Sequence, residues 1–426
     1  MNICIYGLWH LGSVTAACMA AAGHDTVGLD PDPQRVALLT DGEAPVAEPG
    51  LDELIRNGLD SGLLTFSSDL SLVQSAEVVW VCLDTPIDED DRADVAWVRE
   101  RIEAIFPHLR DGAVVLVSSQ VPVGTTAKLK RKFDENAGDR TVGFAYSPEN
   151  LRLGQALDTF QEADRVVVGA PEPWRPALGV MLNQFEGRIL WVSVESAEMV
   201  KHALNTFLAT SIVLTNEIAS VAERVGADAG EVEAALRTDP RVGSDAYVHA
   251  GPAFAGGTLA RDATFLTGLA SDMHLKTPLL DALIPSNAEH CAWPMRRIVE
   301  LLDKIDGSRI GLLGLVYKPG TNTLRRSAAV ELGRELHGAG ATVRAYDPAV
   351  SVLNEELSGM DLVKTPDEAI IGSDALVLAT PWPEFRELDF GKLIPQMERS
   401  LVIDAGGFLE GFLPPEAEYV AFGRAQ

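Results

Sequence analysis

Positive charge is scarce in this chain. Lysine and arginine number 35 against 62 aspartates and glutamates, which leaves a formal net charge of −27. A field of that sign repels nucleic acid and anionic membrane surfaces and favours solubility. Thiols are scarcer still: four cysteines, Cys4, Cys18, Cys82 and Cys291, none in CxxC spacing and none beside a histidine cluster. That pattern points away from a disulfide framework and from zinc, and no metal is expected. Cys4 and Cys82 fall in β-rich apolar runs and Cys18 in an alanine-rich helical run, so they read as small buried hydrophobes. The setting implied is a reducing, cytoplasmic one. Long apolar runs are missing too. A transmembrane helix needs about 18 or more unbroken apolar residues, and none is expected here. No basic region precedes the first apolar run, so residues 1–7 read as a buried strand and not as a signal peptide.

What is present is the composition of a globular protein, 46% hydrophobic and 23% charged over 426 residues. That length accommodates two or three domains at roughly 100–200 residues each. Over 1–194, the runs NICIYG, HDTVGLD, AEVVWVCLDTP, GAVVLVSS, TVGFAYSPE and RVVVGA read as buried strands. SVTAACMAAAG and PQRVALLTDG between them have helical spacing. Such alternation predicts a doubly wound parallel sheet. Over 195–300 the apolar spacing becomes helical, from AEMVKHALNTFLATSIVLTNEIASVAERVGA through a second stretch at about 262–304. Strand signals return over 301–426 with SRIGLLGLVYK, GATVRAYDPA, DALVLATP and SLVIDAG. The predicted architecture is α/β: two Rossmann-like doubly wound parallel-sheet domains joined by a helical central domain.

Between the first strand and the first helix lies Gly7-Leu8-Trp9-His10-Leu11-Gly12, where a dinucleotide fingerprint belongs. The fingerprint needs glycines for a tight turn, for close approach of the pyrophosphate, and for helix–strand packing. Gly7 and Gly12 serve the first and third needs, but Trp9 stands at the second, where its bulk displaces the pyrophosphate. The helix N-terminus still offers free N–H groups and a dipole for phosphate. His10 sits beside those phosphates, far from a nicotinamide, and takes a packing or phosphate-side role. Asp30 ends the second strand, where a carboxylate accepts from a ribose diol and repels a 2′-phosphate; NAD is therefore expected over NADP.

At this point the chain resembles the UDP-glucose/GDP-mannose dehydrogenase family almost end to end. The matching segments are APVAEPGLDELI, DTP at 84–86, VPVGTT at 121–126, SPENLRLG at 147–154, AEMVKHALNTF at 197–207 and GPAFAGGTLARD at 251–262. YKPGTNTLRRS, YDP and ATPWPEFREL follow in the last domain. The resemblance implies an N-terminal NAD domain, a homodimer formed through the central helices, and a C-terminal domain that holds the nucleotide. On the cofactor side it implies Thr85, Pro86 and Gln120 beside Gly7, Trp9, His10, Leu11, Gly12 and Asp30. On the substrate side it implies Asn150, Leu151, Arg152, Arg241, Phe254, Gly256, Lys318 and Arg325. Bidentate arginine suits a diphosphate and offsets the global negative field.

Usual members of that family oxidise a primary alcohol to a carboxylate with two NAD, through a cysteine thiohemiacetal and thioester. Here the family's GGSC run reads Gly256-Gly257-Thr258 after Ala255, with Thr258 at the cysteine position. An alcohol is a weak nucleophile unless a base activates it, whereas a thiol is partly ionised near neutrality. Gln120 replaces the usual threonine before VPVGTT, and Leu153 replaces an acidic residue, while Glu149 is kept. The covalent half of the reaction is therefore expected to be lost. The machinery of the first oxidation is kept. Lys201 and Asn205, four apart on one helix, share a face, and Asp262 closes the glycine-rich run. The resemblance places these three around the reacting carbon, with Asp262 as base and Lys201 and Asn205 stabilising the alkoxide. Thr258 either bonds the substrate or simply lines the site.

The leading expectation is a two-electron oxidation of a nucleotide-linked sugar to a ketone or aldehyde, as in building an unusual sugar of an antibiotic. The alternatives are a four-electron oxidation to a uronate and a non-catalytic nucleotide-sugar-binding protein. Trp9 favours the last; retention of Lys201, Asn205, Glu149 and Asp262 opposes it.

Overall fold

The computed structural model describes residues 1–86, 93–149, 151–183, 187–255, 257–352 and 355–424. It forms two compact units, Met1–Ala203 and Leu204–Gln426, and the division falls within the helix Val194–Val225.

The first unit is built on β1 (Asn2–Tyr6), β2 (Asp25–Leu29), β3 (Leu64–Ser67), β4 (Val78–Val81), β5 (Val114–Val117), β6 (Gly143–Tyr146), β7 (Arg165–Gly169) and β8 (Arg188–Val192). Their order in the sheet is β3-β2-β1-β4-β5-β6-β7-β8. The inner strands β4 and β5, VVWV and VVLV, are unbroken apolar runs buried along their whole length. A strand covered on both faces has no polar side to alternate with. Pairing is parallel from β3 to β6; β7 meets β6 antiparallel at Tyr146 and Gly169, and β8 runs parallel to β7. The chain reverses direction of travel across the sheet beside β1, which opens a crevice between the carboxyl ends of β1 and β4.

The helix His10–Ala21 carries no carboxylate or basic chain besides His10 and is buried from Gly12 to Ala20. Its small residues let it lie close on the sheet. A Cβ on Gly12 would come within 1.6 Å of the Gly7 carbonyl oxygen, so only glycine permits this packing.

The second unit adds the helices Ala229–Thr238, Thr258–Asp272, Pro278–Cys291 and Trp293–Leu301 to a six-stranded parallel sheet. Its strands are β9 (Arg309–Leu313), β10 (Thr342–Tyr346), β11 (Met360–Leu362), β12 (Ala375–Leu378), β13 (Leu401–Asp404) and β14 (Glu418–Ala421), ordered β11-β10-β9-β12-β13-β14. Ala219, Trp293 and Ile298 pack into one core with Ile310, Leu312 and Val343, so the helices and this sheet share their hydrophobic interior. The outer strands β3, β8, β11 and β14 carry no strand signal in the sequence reading. Each is short or half-exposed, and LTFS or MDL lacks the continuous apolar run that marks the inner strands.

Candidate active site

After β1 the chain turns at Gly7, whose φ of +96° is left-handed and whose Cβ would strike the Leu83 backbone nitrogen at 2.7 Å. Gly7 N donates to Leu29 O at 2.8 Å, and Leu8 N donates to Asp30 Oδ2 at 2.7 Å. The Asp30 carboxylate, buried, also accepts from Arg35 Nη1 at 2.9 Å and from Asp32 N at 2.9 Å. Three donors leave about one lone-pair position open for a ribose hydroxyl. A cavity of about 520 Å³ opens at the turn, lined by Gly7, Leu8, Trp9, Asp30, Pro31, Asp32, Arg35, Leu83, Asp84, Pro86, Trp97 and Arg101. That volume suits a small-molecule or cofactor site.

Trp9 stands at the N-cap position of the helix His10–Ala21 with φ −73°, so the second glycine position does not need the left-handed conformation that favours glycine. Its indole is 43% exposed and lies 5.1 Å from the Arg35 guanidinium. Arg101 stacks over Trp97 at 3.6 Å, and its buried Nε has no hydrogen-bond partner among the described residues. Two guanidiniums stand on the cavity wall beside Asp30, Asp32 and Asp84; Arg35 is paired with Asp30, and Arg101 offers N–H donors to an anionic group. The glycine cradle, the open cavity and this donor set fit NAD. Arg35, Trp97 and Arg101 escaped the sequence reading; the position of Arg35, five residues beyond Asp30, is the only trace of it there.

Thr85 and Pro86 follow β4, and Thr85 Oγ1 donates to the Gln120 carbonyl oxygen at 2.7 Å. The segment 121–126 is held by the first turns of the helix Val194–Val225. Glu198, buried, accepts from Gly124 N at 2.5 Å and Thr126 N at 2.9 Å, capping the helix Thr125–Asp134. His202 Nε2 hydrogen-bonds the Val121 carbonyl at 3.1 Å. Lys201 lies between them, 9% exposed. Its Nζ donates to the Glu149 carbonyl oxygen at 2.6 Å and stands 3.6 Å from Glu149 Oε2, while Glu149 Oε1 accepts from Leu151 N at 2.8 Å. The ammonium is thus fixed in place by Glu149, at the head of the segment 151–156. Arg152 and Leu153 are exposed, and Leu151 is half-buried. Asn150 and Gly256 lie outside the described residues.

In the second unit, Asn205 Nδ2 donates to the fully buried Asp262. Asp262 stands one turn after Thr258, which opens the helix Thr258–Asp272 and is exposed. The glycine-rich segment before it is anchored by side chains that the sequence reading missed. Asn216 Oδ1 accepts from Gly251 N at 3.0 Å, His290 Nε2 bonds Gly251 O at 2.7 Å, and Asn287 bonds both Phe254 N and Phe254 O. Phe254 itself packs on Val213, Ala263 and Leu283. Arg241 is exposed and pairs bidentately with Asp239. Lys318 and Arg325 are exposed, with Lys318 Nζ 5.9 Å from the Tyr317 ring.

The second sheet repeats the first turn. Gly314 (φ +88°) follows β9 as Gly7 follows β1, and Gly314 N donates to Tyr346 O at 2.8 Å. Asp347 takes the place of Asp30 and accepts from Leu315 N at 2.7 Å. Here the carboxylate also accepts from Val316 N, Ala349 N and the Trp382 indole N–H, the last in the place that Arg35 takes at Asp30.

Three segments match the UDP-glucose/GDP-mannose dehydrogenase family: its NAD binding domain over 1–182, its central domain over 195–289 and its UDP binding domain over 311–411. The chain belongs to this family. It is an NAD-dependent dehydrogenase. A UDP-glucose 6-dehydrogenase of Rhizobium meliloti is 34% identical over 95% of this chain and 94% of its own length. Among solved structures, a UDP-glucose dehydrogenase from Pyrobaculum islandicum aligns with a TM-score of 0.87 at 30% identity, covering 100% of this chain and 98% of the other. A UDP-D-ManNAc dehydrogenase from Pyrococcus horikoshii aligns at 0.86 and 26% identity over 100% and 99%. The two Rossmann-like sheets and the helical central region expected from the sequence are those of this family.

Proposed function

We propose that the protein oxidises one hydroxyl of a nucleoside-diphosphate sugar by two electrons and releases a ketone or aldehyde. Thr258 at the family's cysteine position carries this reading. A hydroxyl there cannot readily form the acyl intermediate that a four-electron oxidation uses. No described cysteine substitutes: Cys4, Cys18 and Cys82 are buried in the first unit, and Cys291 ends the helix Pro278–Cys291. A secondary alcohol suits such a site, since a ketone goes no further and needs no thiol.

In this reading Asp262 takes the hydroxyl proton through water or by way of Lys201. The Asn205 amide orients the Asp262 carboxylate and, with Lys201, stabilises the developing alkoxide. Glu149 holds the Lys201 ammonium in register. NAD, when bound, supplies the two-electron acceptor. Leu151, Arg152, Arg241, Phe254, Lys318 and Arg325, with Asn150 and Gly256, contact the nucleotide sugar. The protein acts as a homodimer in the cytoplasm, in the assembly of an unusual sugar such as that of an antibiotic. Phe207, Leu214, Val221 and Val225, exposed along the helix Val194–Val225, support the dimer. No described helix is long and apolar enough to cross a membrane.

A second reading, four-electron oxidation to a uronate, is favoured by the names of the curated relatives, which are UDP-glucose 6-dehydrogenases. The NADH formed per sugar consumed separates the two, with limiting UDP-, GDP- and TDP-sugars as substrates. One NADH and a carbonyl product are expected. Two NADH and a carboxylate would overturn the proposal.

A further inference from the structure

Glu48 is a buried carboxylate that joins two parts of the first unit. Its side chain is fully buried, and its Oε1 lies 2.7 Å from His10 Nε2. The same oxygen accepts from Gly154 N at 2.8 Å, and Oε2 accepts from Ala156 N at 3.2 Å. His10 is the first residue of the helix after the glycine turn. Backbone N–H groups at such a helix start point toward a bound pyrophosphate. Gly154 and Ala156 belong to the segment that follows Glu149. Gly154 adopts φ +86°, and Ala156, fully buried, opens the helix Ala156–Gln161, which packs on His10–Ala21.

We propose that His10 and Glu48 are positioning residues that transmit dinucleotide binding at the glycine turn to the sugar-side segment 151–156. This rests on the reading above, in which that segment contacts the nucleotide sugar. A buried carboxylate with three donors tolerates little displacement, because losing any one leaves charge without compensation in a low-dielectric interior. Movement of the His10 ring as phosphate settles on the helix start is therefore carried by Glu48 to two backbone amides of the other segment. The ring keeps one-fifth of its side-chain surface exposed, so it has room to respond, whereas Glu48 has none. The partner effect is reciprocal: ordering of 151–156 by the sugar acts back on the turn.

Hydrogen–deuterium exchange of the full-length protein, with and without saturating NADH and no sugar, tests this. In the wild-type protein NADH is expected to slow exchange at Gly154 and Ala156 by about fivefold or more, the low end of ordinary coupling. His10→Phe, which fills the same space without a nitrogen, is expected to abolish that response at NADH saturation. His10→Gln, which keeps a donor toward Glu48, is expected to restore it. If His10→Phe does not fold, Glu48→Met reads the same loss, since it keeps the length of the side chain and removes both acceptor oxygens. A wild-type response that is absent, or one that survives in His10→Phe or Glu48→Met, overturns the proposal. Binding of UDP-glucose is titrated separately. Its failure, with the NADH response intact, counts against the substrate reading alone.

Discussion

Asn205 donates its side-chain amide to Asp262, a carboxylate with no exposed surface. The pair carries the first prediction. Asn205→Ala strips a donor from a buried anion, which destabilises by about 1–3 kcal/mol. It is also expected to lower kcat by about 10²- to 10³-fold through loss of alkoxide stabilisation. Asp262→Asn keeps the shape but cannot take a proton. It is expected to lose at least about 10²-fold in kcat while melting near the wild-type temperature. Steady-state rates beside thermal melts separate the two effects.

Thr258 is exposed at the first turn of its helix and is expected to line the site without bonding covalently to substrate. Thr258→Ala should therefore retain activity within about tenfold, with one NADH per sugar as before. A fall of the size that loss of a nucleophile produces, about 10⁴-fold or more, would mean that the hydroxyl reacts.

The thiols should be silent in the native protein. Burial pushes Cys291 up to about 11 and Cys18 up to about 12, and it raises Cys4 and Cys82 further. At pH 8 even Cys291 is then thiolate in about one molecule in a thousand. Titration with a chromogenic disulfide should count no fast thiol in the folded protein and four after denaturation, and alkylation should leave the rate unchanged. Rapid inactivation by iodoacetamide would contradict both the burial and the cysteine-free mechanism.

His290 predicts how stability depends on pH. Burial holds its imidazole below the ordinary histidine range, with the Arg296 charge acting in the same direction. The unfolded chain thus binds a proton that the folded one refuses. The stability contributed by neutral His290 is complete above the unfolded value, about 6.5, and is lost as pH falls toward the folded value. Melting temperature should drop between pH 7 and pH 5, and His290→Gln should flatten the drop.

The inner strands are legible because burial on both faces favours continuous apolar runs rich in valine, as at VVWV and VVLV. Edge strands such as LTFS answer to a half-wet environment and show no such pattern. The site divides in the same way. Gly7, Gly12 and Asp30 are readable because backbone geometry and strand position dictate them. Lys201, Asn205 and Asp262 became readable only through motif resemblance. Glu48 lies in the matching segment APVAEPGLDELI without its partners being readable there, and Asn216, Asn287 and His290 are invisible along the chain, since each serves a segment far away in sequence and its identity says nothing until the fold closes.

The twin turns at Gly7 and Gly314 set how many dinucleotides one chain accepts. Both sheets offer the same strand, the same glycine and the same aspartate, yet in the second the Trp382 indole already occupies the carboxylate. At Asp30 the corresponding oxygen instead takes the Arg35 guanidinium, which lines the cavity. Half of a duplicated architecture has been plugged by a side chain, so a nucleotide titration should saturate at one equivalent of NADH per polypeptide.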